Sequence, residues 1–228
     1  MIATLPDWAD PVAHYMVHDG VTETVRIAAF AVTASAAVGI VLGTFLTLRF
    51  LPSRALIRLY IEVFRGLPII VTIFLVYYAL PSAPLIHHRF GPFTGAAIGL
   101  SLWGSAQVAE ATRGAVQSIP REQHEAASAL GFGWLGRHCS VILPQALRRL
   151  LPPLVSLLAN VIQNTTIASL IGVTELLATG QRSVERLEFS SGDSHAFEIY
   201  AAVMAAFFVI SFPLTRLAVF LERRLALY

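Results

Sequence analysis

The chain contains five stretches without a single Asp, Glu, Lys or Arg, at 27–48, 66–86, 90–109, 150–174 and 199–215, which together make up 105 of its 228 residues. A helix rises 1.5 Å per residue, so about 20 apolar residues cross the ~30 Å hydrocarbon core of a bilayer. Four of the stretches, with 22, 21, 20 and 25 residues, are long enough as they stand. The fifth, with 17, reaches span length if 196–197 and 216–220 extend it and Arg216 snorkels to the interface. Only 13% of the residues are charged and 56% are hydrophobic, where a soluble domain has about 25% charged; a disordered chain is excluded. The pattern predicts an all-α membrane protein, one domain over 1–228, with spans near 21–48, 60–81, 92–113, 147–174 and 197–220.

The sixteen basic residues are all arginine, and their placement predicts an orientation. Short cytoplasmic loops collect Lys and Arg, whereas exported ones do not. The segments 49–65 and 113–149 and the tail from Arg216 hold four, five and three arginines, against four in all the alternate segments (Arg26, Arg89, Arg182, Arg186). The N-terminus is therefore expected outside and the C-terminus inside. These arginines lie between apolar spans and form no stripe on a soluble face, which argues against nucleic acid. The first 25 residues carry four acids and no Lys or Arg, unlike the basic start of a signal peptide, so the first span is expected to persist in the mature protein. Cys139, the one cysteine, excludes an internal disulfide and is expected to be a buried spectator.

The connection between spans three and four is long and carries its own helix signals. Ser118 can cap, Pro120 suits a first turn, and Glu122 and Glu125 favour the positive end of the helix dipole. Gly131 ends this predicted helix of 119–130, and a second short piece, 134–142, is expected to stop before Pro144. The connection between spans four and five, 175–195, reads as polar with a turn cluster at Ser190-Ser191-Gly192-Asp193.

The loop sequence Glu125-Ala126-Ala127, then Gly131, then nine residues, then Val141-Ile142-Leu143-Pro144, resembles the EAA signature of ABC importer permeases, with Val141 where isoleucine is usual. Tyr60-Ile61-Glu62-Val63-Phe64-Arg65-Gly66-Leu67-Pro68, Ala109 to Gly114, Gln117 to Pro120 and Leu143 to Ala146 are similar to the polar amino acid uptake subfamily of those permeases. This resemblance implies a type I importer permease fold with a coupling helix in the loop 117–145, which Glu125, Ala126, Ala127, Gly131 and Pro144 fit to an ABC ATPase subunit. It also implies a second permease subunit, the same or similar, a periplasmic substrate-binding protein, and a place in the bacterial inner membrane. Three alanines, Ala126, Ala127 and Ala129, would offer a smooth surface to a groove of the ATPase, and Glu125 a carboxylate to its rim. A chain without lysine cannot supply the phosphate-cradling lysine of a P-loop, so no cofactor is expected here: ATP and Mg belong to the ATPase, and the chain is no enzyme by itself.

Polar groups at membrane depth are costly and therefore informative. Asn160, Gln163 and Asn164, at i, i+3 and i+4, share a helix face, followed by Thr165 and Thr166. They either line a substrate pathway or bond neighbouring helices. The resemblance implies the pathway, since related permeases carry Lys-x-[ST]-[ST] here; Gln163 replaces that lysine and removes a positive charge. Gln107, the amide within span three, is a further pathway candidate. Glu110 and Arg113 can pair one turn apart, and with Arg65 they are read as helix anchors or a gate, Gly66 and Pro68 loosening the start of span two. Gly39-x3-Gly43 permits close helix packing, within the subunit or between two copies. His87-His88 reads as solvated loop and no metal site is expected. A self-sufficient secondary transporter would need carboxylates or broken helices at midplane, and a membrane enzyme clustered His and acids; no acid lies in the five charge-free stretches and no repeat is visible.

Overall fold

The computed structural model describes residues 6–47, 53–84 and 89–225, and among them there are helices and no strands. Helix α1 covers Ala9–Thr47, with a π stretch at Met16–Val21. It is followed by α2, Ser53–Gly66, α3, Ile69–Ser82, and α4, Pro92–Gln117. Then come α5, Arg121–Ala129, α6, Trp134–Ile171, α7, Leu176–Ser191, and α8, Ala196–Leu225. Three of these are long and apolar enough to cross a membrane, Ala9–Thr47, Trp134–Ile171 and Ala196–Arg224, and the bent pair Arg54–Gly66 and Ile69–Ser82 makes a fourth if it is one span. With 26 residues α4 is also long enough, but glycines, serines and Gln107 dilute its apolar character. That dilution has a structural counterpart. Ala96, Leu100, Ala106, Val108, Ala109 and Thr112 of α4 are all at most 1% exposed, and a helix enclosed by protein needs small residues more than lipid-compatible ones.

Four boundaries differ from the sequence expectation. Span two is not a single helix over 60–81: Pro68 drives the residue before it out of the α region, and the chain breaks at Leu67 and Pro68 between α2 and α3. Span one begins twelve residues early, at Ala9, because the added turns have a partner in α7, where Met16 is buried with Leu176, Ile199 and Val203 and is flanked by Trp8 and Val12. That partner is itself a helix in what reads as a loop, 175–195. Its predicted turn cluster is its end: Gly192 has φ +75° and donates its N–H to the Glu188 carbonyl. Finally, the piece starting at Trp134 does not stop before Pro144 but continues to Ile171. A π stretch at Arg137–Ile142 shifts the hydrogen-bond register, the Leu143 N–H reaching back five residues to the His138 carbonyl. Pro144 thus falls at the second position of the renewed α register, where a missing N–H disturbs little. The same stretch turns His138 and Ile142 inward and leaves Cys139 exposed, which corrects its expected burial. His87 and His88 lie outside the described residues.

By internal contacts the chain divides into two compact units, one of Met1–Ala31, Ile69–Leu100 and Val161–Phe212, the other of Val32–Pro68, Ser101–Asn160 and Pro213–Tyr228. The first holds four of the arginines and nine acids, the second twelve arginines and five acids. The arginine asymmetry seen in the sequence is therefore a division between the units.

Within the second unit α1 lies against α4 through its two glycines. A Cβ on Gly39 would stand 2.5 Å from the Val108 Cβ and 2.7 Å from the Ser105 carbonyl oxygen, and one on Gly43 would meet the Ala109 carbonyl oxygen and stand 2.6 Å from the Thr112 Cβ. The Gly39-x3-Gly43 pair therefore serves packing inside this subunit. Replacing Gly43 by Leu should destabilise the chain by at least about 1–3 kcal/mol, the ordinary cost of overpacking. The check is the melting midpoint of the purified protein, which should fall for Gly43→Leu and hold for Gly66→Ala, a site with nothing near its Cβ.

Candidate functional site

The loop helix α5 is bounded by two residues with fixed backbone demands. Pro120 stands at the N-cap position with φ −58° and ψ 150°, which ends the preceding chain in an extended conformation and starts α5 at Arg121. Ser118 is not the cap that its sequence position suggests. Its hydroxyl donates to the Ala115 carbonyl at 2.8 Å, while Arg149 Nη1 donates to the Ser118 carbonyl at 2.6 Å and to its Oγ at 3.3 Å. At the other end Gly131 has φ +82°. Its N–H donates to the Ser128 carbonyl and the Phe132 N–H to the Ala127 carbonyl, at 3.0 and 3.1 Å, the paired closure that a left-handed glycine makes possible.

Glu125, Ala126, Gly131 and Pro144 are exposed, but Ala127 is only 3% exposed. The smooth outward surface is thus Ala126 and Ala129, and Ala127 packs inward, as the helix period requires of one alanine in three. Exposed Leu130, Phe132 and Leu135 extend the surface. Sequence reasoning missed them, although apolar residues in a polar loop were a usable signal.

The base of α5 is clamped. Arg137 Nη1 donates to Ser128 Oγ at 2.5 Å, and Gln145 Nε2 donates to the Val141 carbonyl at 3.0 Å and to Gln123 Oε1 at 3.4 Å. Beneath it Ala115, Val116 and Ile119 pack with Ile142, Ala146 and Leu150, flanked by Val141 and Leu143. Close-packed interiors transmit displacement, so a push on α5 reaches the end of α4 and the start of α6 together.

In the same unit the predicted anchor residues form one network. Arg113 donates to Glu110 from Nη2 at 2.5 Å and from Nε at 2.9 Å, a bidentate, charge-assisted pair. Arg65 on α2 brings Nη1 within 3.7 Å of Glu110 Oε1 and donates from Nε to Gln107 Oε1 at 3.3 Å. Arg65 thus ties α2 to α4. Arg65, Gln107 and Glu110 line a cavity of about 570 Å³ with Pro152, Ser156 and Glu222. It offers cationic and anionic groups across one small volume, the requirement for holding a zwitterion.

Of the other pathway candidates, Asn160 is exposed near the end of α6's α segment and lies outside that cavity's lining. Gln163, Asn164, Thr165 and Thr166 belong to the other unit. Gln163 is exposed, whereas Thr165 is fully buried and donates its hydroxyl to the Ile162 carbonyl at 2.7 Å. Thr166 donates to the Gln163 carbonyl at 3.0 Å. The hydroxyls of both threonines bond their own helix.

One buried charge escaped sequence reasoning. Glu175, beyond the end of α6, caps α7, its carboxylate accepting from the Leu177 N–H at 2.9 Å and the Ala178 N–H at 2.8 Å. The neighbouring Leu176 N–H donates to Thr24 Oγ1 at 3.0 Å. Glu175 is 0% exposed, and burial pushes its carboxyl up to about 7 against the two backbone hydrogen bonds that favour the charged form.

Comparison with known proteins bears on the whole chain. Residues 36–227 match the family described as the binding-protein-dependent transport system inner membrane component. The glutamine transport system permease protein GlnP of Escherichia coli (strain K12) is 35% identical over 207 residues, 91% of each chain. The probable glutamine ABC transporter permease protein GlnM of Bacillus subtilis (strain 168) is 29% identical over 210 residues, 92% of this chain and 93% of that one. A crystal structure of an amino acid ABC transporter with histidines has 27% identity, a TM-score of 0.81, and coverage of 97% of this chain and 100% of its own. The MetNI methionine ABC transporter in an inward-facing form shares the fold, with a TM-score of 0.69 at 16% identity.

The raised Glu175 carboxyl makes a pH prediction. The folded chain binds its proton more tightly than the unfolded one, so this stabilising contribution is full below the ordinary value of 4.5 and is lost as pH rises through about 7. The melting midpoint of the detergent-solubilised protein should fall between about pH 5.5 and about pH 8, and Glu175→Gln should flatten that fall.

Proposed function

The chain belongs to the family of binding-protein-dependent transport system inner membrane components and is a multi-pass membrane permease subunit of an ATP-binding-cassette importer; on that premise we propose that it carries a polar amino acid or a similar zwitterion. The observation that carries the cargo reading is the Arg65, Gln107, Glu110 and Glu222 cavity, which provides a cation for a carboxylate and carboxylates for an ammonium group. The relatives include permeases of glutamine transport systems.

The five spans run with the N-terminus outside and the C-terminus inside, in a bacterial inner membrane. The twelve-arginine unit supports this orientation. An ATPase subunit, which alone holds ATP and Mg, docks on α5 at Glu125, Ala126 and the exposed turn at Gly131. A second permease subunit completes the pore, and a periplasmic binding protein delivers cargo. Approach of the ATPases pushes α5, and the packed base of the loop passes that motion to α4 and α6. The cavity then alternates between the two sides, with Asn160, Gln163 and Asn164 as further polar stations along the route.

Two substitutions separate docking from passage. Glu125→Arg should release the ATPase on co-purification while the chain still elutes as a single species; retained ATPase with full ATP-driven uptake would refute the docking role. Gln107→Ala and Gln163→Ala should keep assembly and raise the uptake KM by about tenfold, the worth of one hydrogen bond of about 1.4 kcal/mol. Unchanged uptake kinetics for every amino acid tested would remove those residues from the pathway.

A further inference from the structure

A second cavity of the twelve-arginine unit, about 300 Å³, belongs neither to the outward surface of α5 nor to the Glu110 site. Arg54, Arg121, His124, Arg137 and His138 line it together with Trp134, and among the described residues no Asp or Glu does. Part of this wall is held in place. The His138 ring Nε2 lies 3.2 Å from Thr47 Oγ1, Trp134 stacks on His138 with centroids 5.9 Å apart, and Arg137 is fixed on Ser128. Arg54 and Arg121, both exposed, enter none of the ion pairs found among the described residues, where Glu62 takes Arg58 and Glu110 takes Arg65 and Arg113.

Several positive groups gathered around one small volume repel each other unless an anion joins them. Arginine forks fit phosphate oxygens two at a time. The surroundings narrow the source of such an anion. Helix α2, which contributes Arg54 to the wall, exposes Leu56, Leu59 and Val63 on another face. An amphipathic helix of this kind lies along a membrane interface with its arginines at headgroup level, and Trp134 is of the residue type that settles there.

We propose that this cavity binds a phosphate group, the chemistry shared by an anionic lipid headgroup and a soluble phosphorylated solute, between Arg54 on α2 and Arg121 on α5. The bound phosphate joins α2 to the root of the coupling helix and stiffens the element that receives the ATPase.

The test uses the full chain in nanodiscs of phosphatidylcholine, with or without about one fifth phosphatidylglycerol, and native mass spectrometry to count the lipid retained. Wild type should retain phosphatidylglycerol. The double variant Arg54→Gln/Arg121→Gln should bind it about twenty-five-fold more weakly, about fivefold for each cation removed near an anionic surface, while Arg148→Gln, on α6 outside the cavity, should match wild type. If the double variant does not elute as a single species, Arg121→Gln alone carries the test at about fivefold. Sodium pyrophosphate in detergent distinguishes the sources: a rise in melting midpoint in wild type and not in the variant, without any lipid preference, assigns the cavity to a soluble phosphorylated solute. Absence of both responses in wild type, or an equal loss in Arg148→Gln, overturns the proposal. So does a double variant that keeps its lipid and loses the ATPase, since the cavity would then receive an acidic side chain of that protein.

Discussion

Close approach of helix backbones to α4 is the constraint on which the other features depend. In a bilayer the hydrophobic effect drives helices together only weakly, because lipid tails are as apolar as leucine. Contact must come from van der Waals packing, which needs backbones near each other. In the twelve-arginine unit Gly39 and Gly43 of α1 meet α4 at Ser105, Val108, Ala109 and Thr112. In the other unit Gly95 and Gly99 of α4 sit against Tyr77 and Ile73 of α3. The same small residues that permit this packing lower the hydropathy of α4. Its weak membrane signal and its close packing within each unit have one cause.

The working parts hang from that helix. Toward its end it carries Gln107 and Glu110, which bind Arg65 and so hold α2, while Arg113 fixes the Glu110 carboxylate. Beyond Arg113, Ala115 and Val116 of α4 and Ile119 just past its end form the floor beneath α5. The Glu110 cavity and the base of α5 thus both adjoin the end of one helix. Under the proposed function, only a few packed contacts separate the docking surface from the cavity.

Much of this was legible in the sequence because it rests on local rules. Runs without charge marked apolar helices, Pro120, the acids after it and Gly131 marked the loop helix, and Glu110 three residues before Arg113 marked the ion pair. The misses share a different origin. Helix α7 and the early start of α1 are each too polar or too short to announce themselves, and they exist because Met16, Leu176 and Ile199 bury one another. Pro144 reads as a stop until the π stretch at Arg137–Ile142 makes room for it. Ala127 reads like its neighbours until the packing of α5 selects which alanine faces inward.

The sequence by itself determined that the chain crosses a membrane, which segments gather the arginines, and that the stretch 117–145 carries a helix closed by Gly131, since hydropathy, charge and backbone preference act residue by residue. Tertiary structure alone decided that Arg65 reaches Glu110 across two helices, that Glu175 is sealed from water at the cap of α7, and that five basic groups from α2 and the loop enclose one cavity. Each of those depends on residues distant in the chain, whose separation is set by how closely the helices pack.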